Sequence, residues 1–245
     1  MTFTRYELTI PIELSSELHI GGVDAVPDRD GEGTVIRFCR NGLKEPTIPG
    51  RSIRGVVRAA CDVARQALKD AGDPATQAGG AFSKENWISL WGDDTLDTGK
   101  SVRDRGLRSD DSLPIRQSAL TFHAVSFHAD QPMTTRHGVG IDRTTGAASD
   151  GALYEHEFLP RGTRFNIRIT AEGRDAEKME NEQSEGIPAP ASSGAVKKLL
   201  EFIVDVLKSD TVSLGGRTGS GQGRIHVIEP KLRRLSGTTD AGTLT

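Results

Sequence analysis

The sequence lacks the features that mark the simplest functional classes. Its 31 lysines and arginines are outnumbered by 34 aspartates and glutamates, so the strongly basic balance of many nucleic-acid-binding proteins is absent. It contains no apolar run long enough to span a bilayer and no signal peptide. We therefore expect a cytoplasmic protein with no membrane partner, in which any nucleic-acid surface is a local basic stripe.

Cysteine and recognisable catalytic motifs are also scarce. Cys39 and Cys61 do not have the spacing of a metal site, and we expect both to be reduced, buried thiols. The six histidines show no HExxH spacing, and no GxSxG elbow is present. Each histidine is therefore expected to be an ordinary core or surface residue.

The basic stripe is found in residues 48–68, IPGRSIRGVVRAACDVARQAL, which predict a helix beginning after Pro49. Its apolar face contains Ile53, Val56, Val57, Ala60, Ala64, Ala67 and Leu68, and a second face contains Arg51, Arg54, Arg58 and Arg65. Backbone N–H groups at a helix start, the helix dipole and nearby arginines favour phosphate binding. The alternative is an ordinary solvated basic face, which periodicity alone does not distinguish from a phosphate site.

Two loops contain the other candidate residues. The acidic loop has Asp24, Asp28, Asp30 and Glu32, which predict either plain turn chemistry or carboxylates that orient a nucleophile or hold a divalent cation. The glycine-rich loop, LGGRTGSGQGR at 214–224, follows a helix and precedes a strand, the reverse of a dinucleotide fingerprint. It favours either close backbone approach to a ligand, with Arg217 and Arg224 on phosphates, or a flexible connection.

The remaining pattern predicts an α+β fold. Residues 3–14 alternate as a strand with Phe3, Leu8, Ile10 and Ile12 as core candidates. Further strands are predicted at 34–39, at 224–230, and within 152–173 on either side of Pro160–Gly162. Two further helices are predicted, a short one ending at Gly92 and one over 192–210 that Ser192 or Ser193 would cap. This order matches a ferredoxin-like, split βαβ unit with long insertions.

Several of these segments, taken together, resemble one family. IPGRSIRGVVR (48–58) is similar to the helix start of the RAMP superfamily, and LGGRTGSGQGRI (214–225) to its glycine-rich C-terminal loop. SLWG (89–92) resembles a short stretch of the same superfamily, and ELHIGG (17–22) its first loop. GVGIDRTTGAASDGALYEHEFLPRGTRF (138–165) resembles the central segment of backbone subunits of type III CRISPR effector complexes.

The resemblance implies a single RAMP-type domain over 1–236. It would have an RRM-like palm, a β-hairpin thumb inserted at about 120–152, loop insertions at about 71–112 and 174–191, and a disordered tail at 237–245. Such subunits stack with copies of themselves or related subunits along a guide CRISPR RNA, beside other effector subunits, and the thumb wedges into the guide–target duplex. The RNA-binding residues it implies are Arg51, Ser52, Arg54, Arg58, Arg136, His137, Arg143, Arg217 and Arg224.

Three functions remain open from the sequence. Some members of the family cleave target RNA with a loop aspartate and a divalent metal, Mg²⁺ or Mn²⁺. Counting from Val35–Arg37 places Glu32 nearest that position, with Asp28 and Asp30 adjacent and Asp24 further away. The alternatives are a catalytically silent RNA-binding scaffold without a cofactor, and a nucleotide-binding enzyme that uses the glycine-rich loop.

Overall fold

The computed structural model describes residues 3–27, 34–92, 118–174 and 191–236, and within these ranges the chain has an α+β fold. The helices are α1 (Gly50–Asp70), α2 (Lys84–Trp91) and α3 (Ser193–Lys208). The strands are β1 (Phe3–Leu14), β2 (Gly21–Pro27), β3 (Thr34–Phe38), β4 (Thr47–Ile48), β5 (Leu120–Phe122), β6 (Val125–Ser126), β7 (Thr134–Ile141), β8 (Ala148–Phe158), β9 (Arg164–Arg174), β10 (Ile225–Val227) and β11 (Lys231–Ser236).

Some predictions lie outside the described residues. These are Asp28, Asp30 and Glu32 of the acidic loop, residues 93–112 and 175–190 of the expected insertions, and the tail at 237–245. Asp24 lies in β2, where the structure describes the backbone and not the side chain.

The long strand β1 is the centre of a five-stranded antiparallel sheet. It pairs with β9 from Phe3–Arg174 to Glu13–Arg164, and its other edge pairs with β11 and then with β10. Strand β5 adds to the far side of β9, which gives the order β10, β1, β9, β5. The chain order of these elements is β1, α1, β5, β9, α3, β10.

The period-two pattern of β1 places one face in the core. Leu8, Ile10 and Ile12 are buried as predicted. The prediction for Phe3 is wrong, since it is 44% exposed at the strand end, where the Arg174 guanidinium lies 5.8 Å from its ring centroid.

Helices α1 and α3 cover the apolar side of this sheet. Ile53 and Val57 of α1 are buried, and α3 packs against β1, β9 and α1. Ser192 caps α3 as predicted, its Oγ accepting from the N–H of Ala195 at 3.2 Å. Ala67 is exposed in the last part of α1, so its predicted place on the buried face is wrong.

The two cysteines are both free thiols, as expected, but they differ in burial. Cys61 lies on the buried face of α1, and its burial, followed by the neighbouring Asp62 charge, raises its pKa to about 12. Cys39 is only half-buried, which corrects the prediction that both are buried. None of the helices in the described ranges has the length and apolar character needed to cross a membrane.

A second sheet contains an antiparallel hairpin. Its order is β2, β3, β8, β7, and β7 and β8 are joined by a turn in which Asp142 Oδ1 accepts from the N–H of Thr144 at 2.6 Å. The hairpin therefore begins at Thr134, whereas the sequence placed a protruding arm at 120–152. Residues 120–122 instead form β5, because Leu120 is buried and its strand pairs with β9.

The start of α1 offers a test of this packing. A Cβ on Gly50 would lie 2.1 Å from the carbonyl oxygen of Phe122, whereas one on Gly55 would meet nothing within 4 Å. We expect Gly50→Ala to lower the free energy of unfolding by about 1–3 kcal/mol through this clash. The matched Gly55→Ala should raise it by about 0.5–1 kcal/mol, because glycine is unfavourable inside a helix. Urea unfolding of both variants checks this, and equal midpoints would contradict the placement of α1 against β5.

Candidate nucleic-acid interface

The first turn of α1 presents an open cationic position. Arg51 is exposed and has no hydrogen bond or ion pair within the described part of the chain, and Ser52 beside it is half-buried. The N-cap residue is Pro49, whose side chain supplies no capping bond. A helix start with a free arginine and no side-chain cap has the chemistry of a phosphate site.

The rest of the predicted arginine row packs against α2. An Arg54 guanidinium N–H donates to the carbonyl oxygen of Trp91, and Arg65 Nε donates to the carbonyl oxygen of Phe82 at 2.7 Å. Arg58 Nε lies 3.8 Å from Asp62 Oδ2, and the Trp87 indole N–H donates to the same carboxylate at 2.7 Å. Much of this basic face therefore fastens α2 to α1, a role that periodicity did not reveal.

The glycine-rich loop is packed against the first loop of the chain. The N–H of Gly216 donates to the carbonyl oxygen of His19 at 2.9 Å, and the N–H of Gly223 donates to that of Glu17 at 2.8 Å. Gly215 and Gly223 have positive φ, and a Cβ on Gly215 would lie 2.2 Å from the His19 oxygen. This arrangement corrects the expectation of a flexible connection.

The same loop borders α1 and presents Arg224. An open groove of about 410 Å³ lies between Val56 and Ala60 of α1 and residues 211–219. The Arg224 N–H donates to Ser16 Oγ at 2.9 Å, while its side chain is exposed and unpaired within the described residues. ELHIGG and the glycine-rich loop, which are far apart in the sequence, are therefore in direct contact, and the groove places this loop beside Val56 and Ala60 of α1.

A buried histidine pair joins this loop to the hairpin. Arg217 Nη2 lies 2.6 Å from His156 Nε2, and the rings of His156 and His19 meet edge to face at 4.9 Å. His19 Nδ1 in turn lies 2.7 Å from the carbonyl oxygen of Glu157. Neither histidine was predicted as a site residue from the sequence. The signals available were the place of His19 within ELHIGG and the period-two spacing of Tyr154 and His156 on one strand face.

The protonation state of His156 follows from its partner. Burial, then the Arg217 charge, then His19, lower its pKa to about 4, so the ring is neutral near pH 7. Arg217 can only donate, so Nε2 accepts and the proton is on Nδ1. That Nδ1 is buried and has no hydrogen-bond partner among the residues that the structure describes.

The polar residues of the hairpin are divided between paired and open positions. Arg136 Nε donates to Glu17 Oε2 at 2.5 Å, and His137 Nδ1 lies 2.8 Å from Glu155 Oε1. Arg143 is exposed in the hairpin turn and unpaired within the described ranges. Arg51, Arg143 and Arg224 are thus the open cationic positions among the predicted RNA-binding residues.

The structure gives no test of the predicted metal chemistry. Among the described residues, no group of three His, Cys, Asp or Glu side chains is placed to hold a metal ion. Of the four candidate carboxylates, Asp28, Asp30 and Glu32 lie outside the described ranges, and so does the side chain of Asp24.

Comparison with known proteins identifies the family. The model of the RAMP superfamily matches residues 11–226, which is most of the chain. A search of curated proteins found no match. The matched range includes the first loop, α1, the hairpin and the glycine-rich loop.

The shifted pKa of His156 predicts a pH dependence. Because its pKa is about 4 in the folded protein and 6.5 in a model peptide, the unfolded chain binds more protons between these values. The contribution of neutral His156 is complete above pH 6.5 and is lost as the pH falls toward 4. We expect the stability difference between wild type and His156→Gln, measured by urea unfolding, to change across this window. The wild type should lose stability relative to His156→Gln as the pH falls from 6.5 toward 4. A difference in the free energy of unfolding that does not depend on pH would contradict the assignment of a neutral His156.

Proposed function

Because this chain belongs to the RAMP superfamily, we propose that it is an RNA-binding backbone subunit of a cytoplasmic, type III-like CRISPR effector complex. In this role it holds a guide RNA and its target, and it assembles with copies of itself, related subunits and other effector subunits.

The observation that supports the proposal best is the packing of the glycine-rich loop against both the first loop and α1. The hydrogen bonds from Gly216 and Gly223 to residues 17 and 19 hold the two loops together, and the groove lined by Val56 and Ala60 places α1 beside the glycine-rich loop. Arg51 at the start of α1 and Arg224 in the loop are open cations of these segments. Such a surface suits a sugar–phosphate backbone, and it explains how a chain of net charge −3 can bind RNA.

The topology supports a ferredoxin-like palm in this proposal. Counting only β1, β5, β9 and β10 as the first to fourth strands, the sheet order is fourth, first, third, second, with α1 and α3 as the two connecting helices. All of these strand pairs are antiparallel.

The hairpin supports the role of a thumb. Val139, Ile141 and Leu153 are 42%, 56% and 42% exposed, and Val139 pairs directly with Leu153. Exposed apolar side chains near the end of a hairpin are suited to contact unstacked bases. We propose that this end enters the guide–target duplex.

The structure argues against the nucleotide-binding alternative. In a phosphate-cradling loop, successive backbone N–H groups point at the ligand. Here Gly216 and Gly223 already donate to carbonyl oxygens of the chain itself. The glycine content of this loop is better explained by close packing than by a cradle for a small ligand.

The RNA surface is tested by reversing one open charge. We expect Arg51→Glu to weaken binding of single-stranded guide RNA about tenfold and to lower the slope of log Kd against log salt by about 1, since one phosphate contact is lost. Lys84→Glu is the matched control. Lys84 is also exposed in the first turn of a helix, but it begins α2, two residues after Phe82, and is not part of the proposed RNA surface. Equal affinities for both variants, measured by fluorescence anisotropy, would show that Arg51 is only solvated surface.

Target cleavage is proposed to reside in the acidic loop. In an assembled complex given guide-matched RNA and Mg²⁺ or Mn²⁺, we expect single alanine variants of Glu32, Asp28, Asp30 and Asp24 to include at least one that cuts about a hundredfold more slowly or worse. RNA retention should be unchanged. Glu172→Ala, which removes an exposed carboxylate from the sheet, is the control.

Full cutting by all four variants would place the reaction elsewhere. Absence of cutting by the unmutated complex would favour the silent RNA-binding scaffold.

A further inference from the structure

We propose that Arg217 is a positioning residue that locks the hairpin against the glycine-rich loop through His156, and that it is not a phosphate ligand. This inference rests on the proposed RNA-binding function and assigns a different task to one of the arginines that the family resemblance implied as RNA-binding.

The first support is the backbone of Arg217 itself. Its φ is +60°, in the left-handed region, which is unfavourable for a non-glycine residue. Its neighbours in the loop include many glycines that would adopt this conformation without strain. An arginine at this position is therefore explained by what its side chain contacts.

The second support is the set of contacts made by the guanidinium. Nη2 donates to His156 Nε2 at 2.6 Å, and Cζ lies 5.5 Å from the ring centroid of Tyr154. Tyr154 and His156 both belong to β8 and lie on the same face of it. On the neighbouring strand β7, Gly138 is the residue that pairs with Tyr154. A Cβ on Gly138 would lie 2.4 Å from the Tyr154 ring, so the glycine gives that ring its place. Arg217 thus contacts two consecutive side chains on one face of the hairpin.

The third support is that the contacts form a closed circuit. Arg217 bonds to His156, whose ring packs on His19, and the carbonyl oxygen of His19 accepts from the N–H of Gly216. The circuit returns to the residue next to Arg217. The glycine-rich loop, the first loop and the hairpin therefore meet at this cluster, where Arg217 supplies the side-chain contact between the glycine-rich loop and the hairpin.

Release of Arg217 toward a phosphate would be unfavourable. His156 is 7% exposed, and its Nδ1 has no partner within the described residues. If Arg217 left, Nε2 would lose the hydrogen bond that it accepts, in a ring whose Nδ1 already lacks one, and this loss costs free energy. By contrast, the side chain of Arg224 in the same loop has no described partner and can bind RNA without breaking a contact.

The functional consequence concerns distance. The hairpin end and the guide-holding surface belong to different segments, and the Arg217–His156 contact helps to fix their separation. Loss of this contact should leave the binding of single-stranded RNA nearly unchanged, because Arg217 is not one of the open cations. The hairpin, in contrast, should move more freely.

The test uses RNA-free protein and trypsin, which can cut at Arg143 in the exposed hairpin turn. We expect Arg217→Ala and His156→Leu each to speed this cut about tenfold, as loss of one charge-assisted hydrogen bond would. The double variant should be no faster than the faster single variant, because both remove the same contact. His156→Gln should restore slow cleavage, since its side-chain oxygen can replace Nε2 as the acceptor.

Arg224→Ala is the mirrored control. It should leave cleavage at Arg143 unchanged and lower the salt slope of guide RNA binding by about 1, whereas Arg217→Ala should leave that slope unchanged. A lowered slope for Arg217→Ala, or unchanged proteolysis in both Arg217→Ala and His156→Leu, would overturn the proposal. If Arg217→Ala does not fold, His156→Leu against His156→Gln decides the question. Failure of wild type to bind any RNA would reject the proposed function but leave the proteolysis result able to support or reject this contact.

Discussion

The close packing of the glycine-rich loop on residues 17–19 is the constraint on which the candidate interface depends. A Cβ on Gly215 would lie 2.2 Å from the carbonyl oxygen of His19, and a Cβ on Gly223 would lie 1.9 Å from the carbonyl oxygen of Leu214. A larger residue at Gly215 would separate the loop from residues 17–19, and one at Gly223 would clash with Leu214 within the loop itself. Because the loop and residues 17–19 remain in contact, Arg217 reaches the hairpin and the groove beside α1 is formed. A requirement for glycine at two positions therefore brings together three segments that are distant in the sequence.

The main elements of the five-stranded sheet and its helices could be predicted because their apolar patterns are strong. The alternation of Leu8, Ile10 and Ile12 identified β1, and the spacing of Leu199, Leu200 and Ile203 identified α3. Strand β11 was missed, since its KLRRLS sequence lacks an apolar face. Its Arg234 guanidinium donates to Thr4 Oγ1 at 3.3 Å, a contact that no local pattern encodes. The hairpin was expected too early in the chain because β5 is too short to show periodicity.

The candidate site was predictable only in part, for a similar reason. A helical wheel shows that Arg54, Arg58 and Arg65 share a direction, but it does not show what lies in that direction. The aromatic residues of α2 and the carbonyl oxygen of Phe82 are there, so these arginines serve packing as well as charge. His19 and His156 meet only through tertiary structure. In contrast, the place of Arg51 at a helix start could be predicted from the sequence, and its binding of an anion stays a prediction.

The central claim is that this member of the RAMP superfamily holds RNA in an assembly, and its direct test is the RNA content of the purified protein. The chain would be expressed together with a guide RNA, purified at moderate salt, and analysed by ultraviolet absorbance and size-exclusion chromatography before and after ribonuclease treatment. The account predicts bound RNA and large assemblies that become smaller when the RNA is digested. A monomer free of RNA, unaffected by ribonuclease, would contradict it.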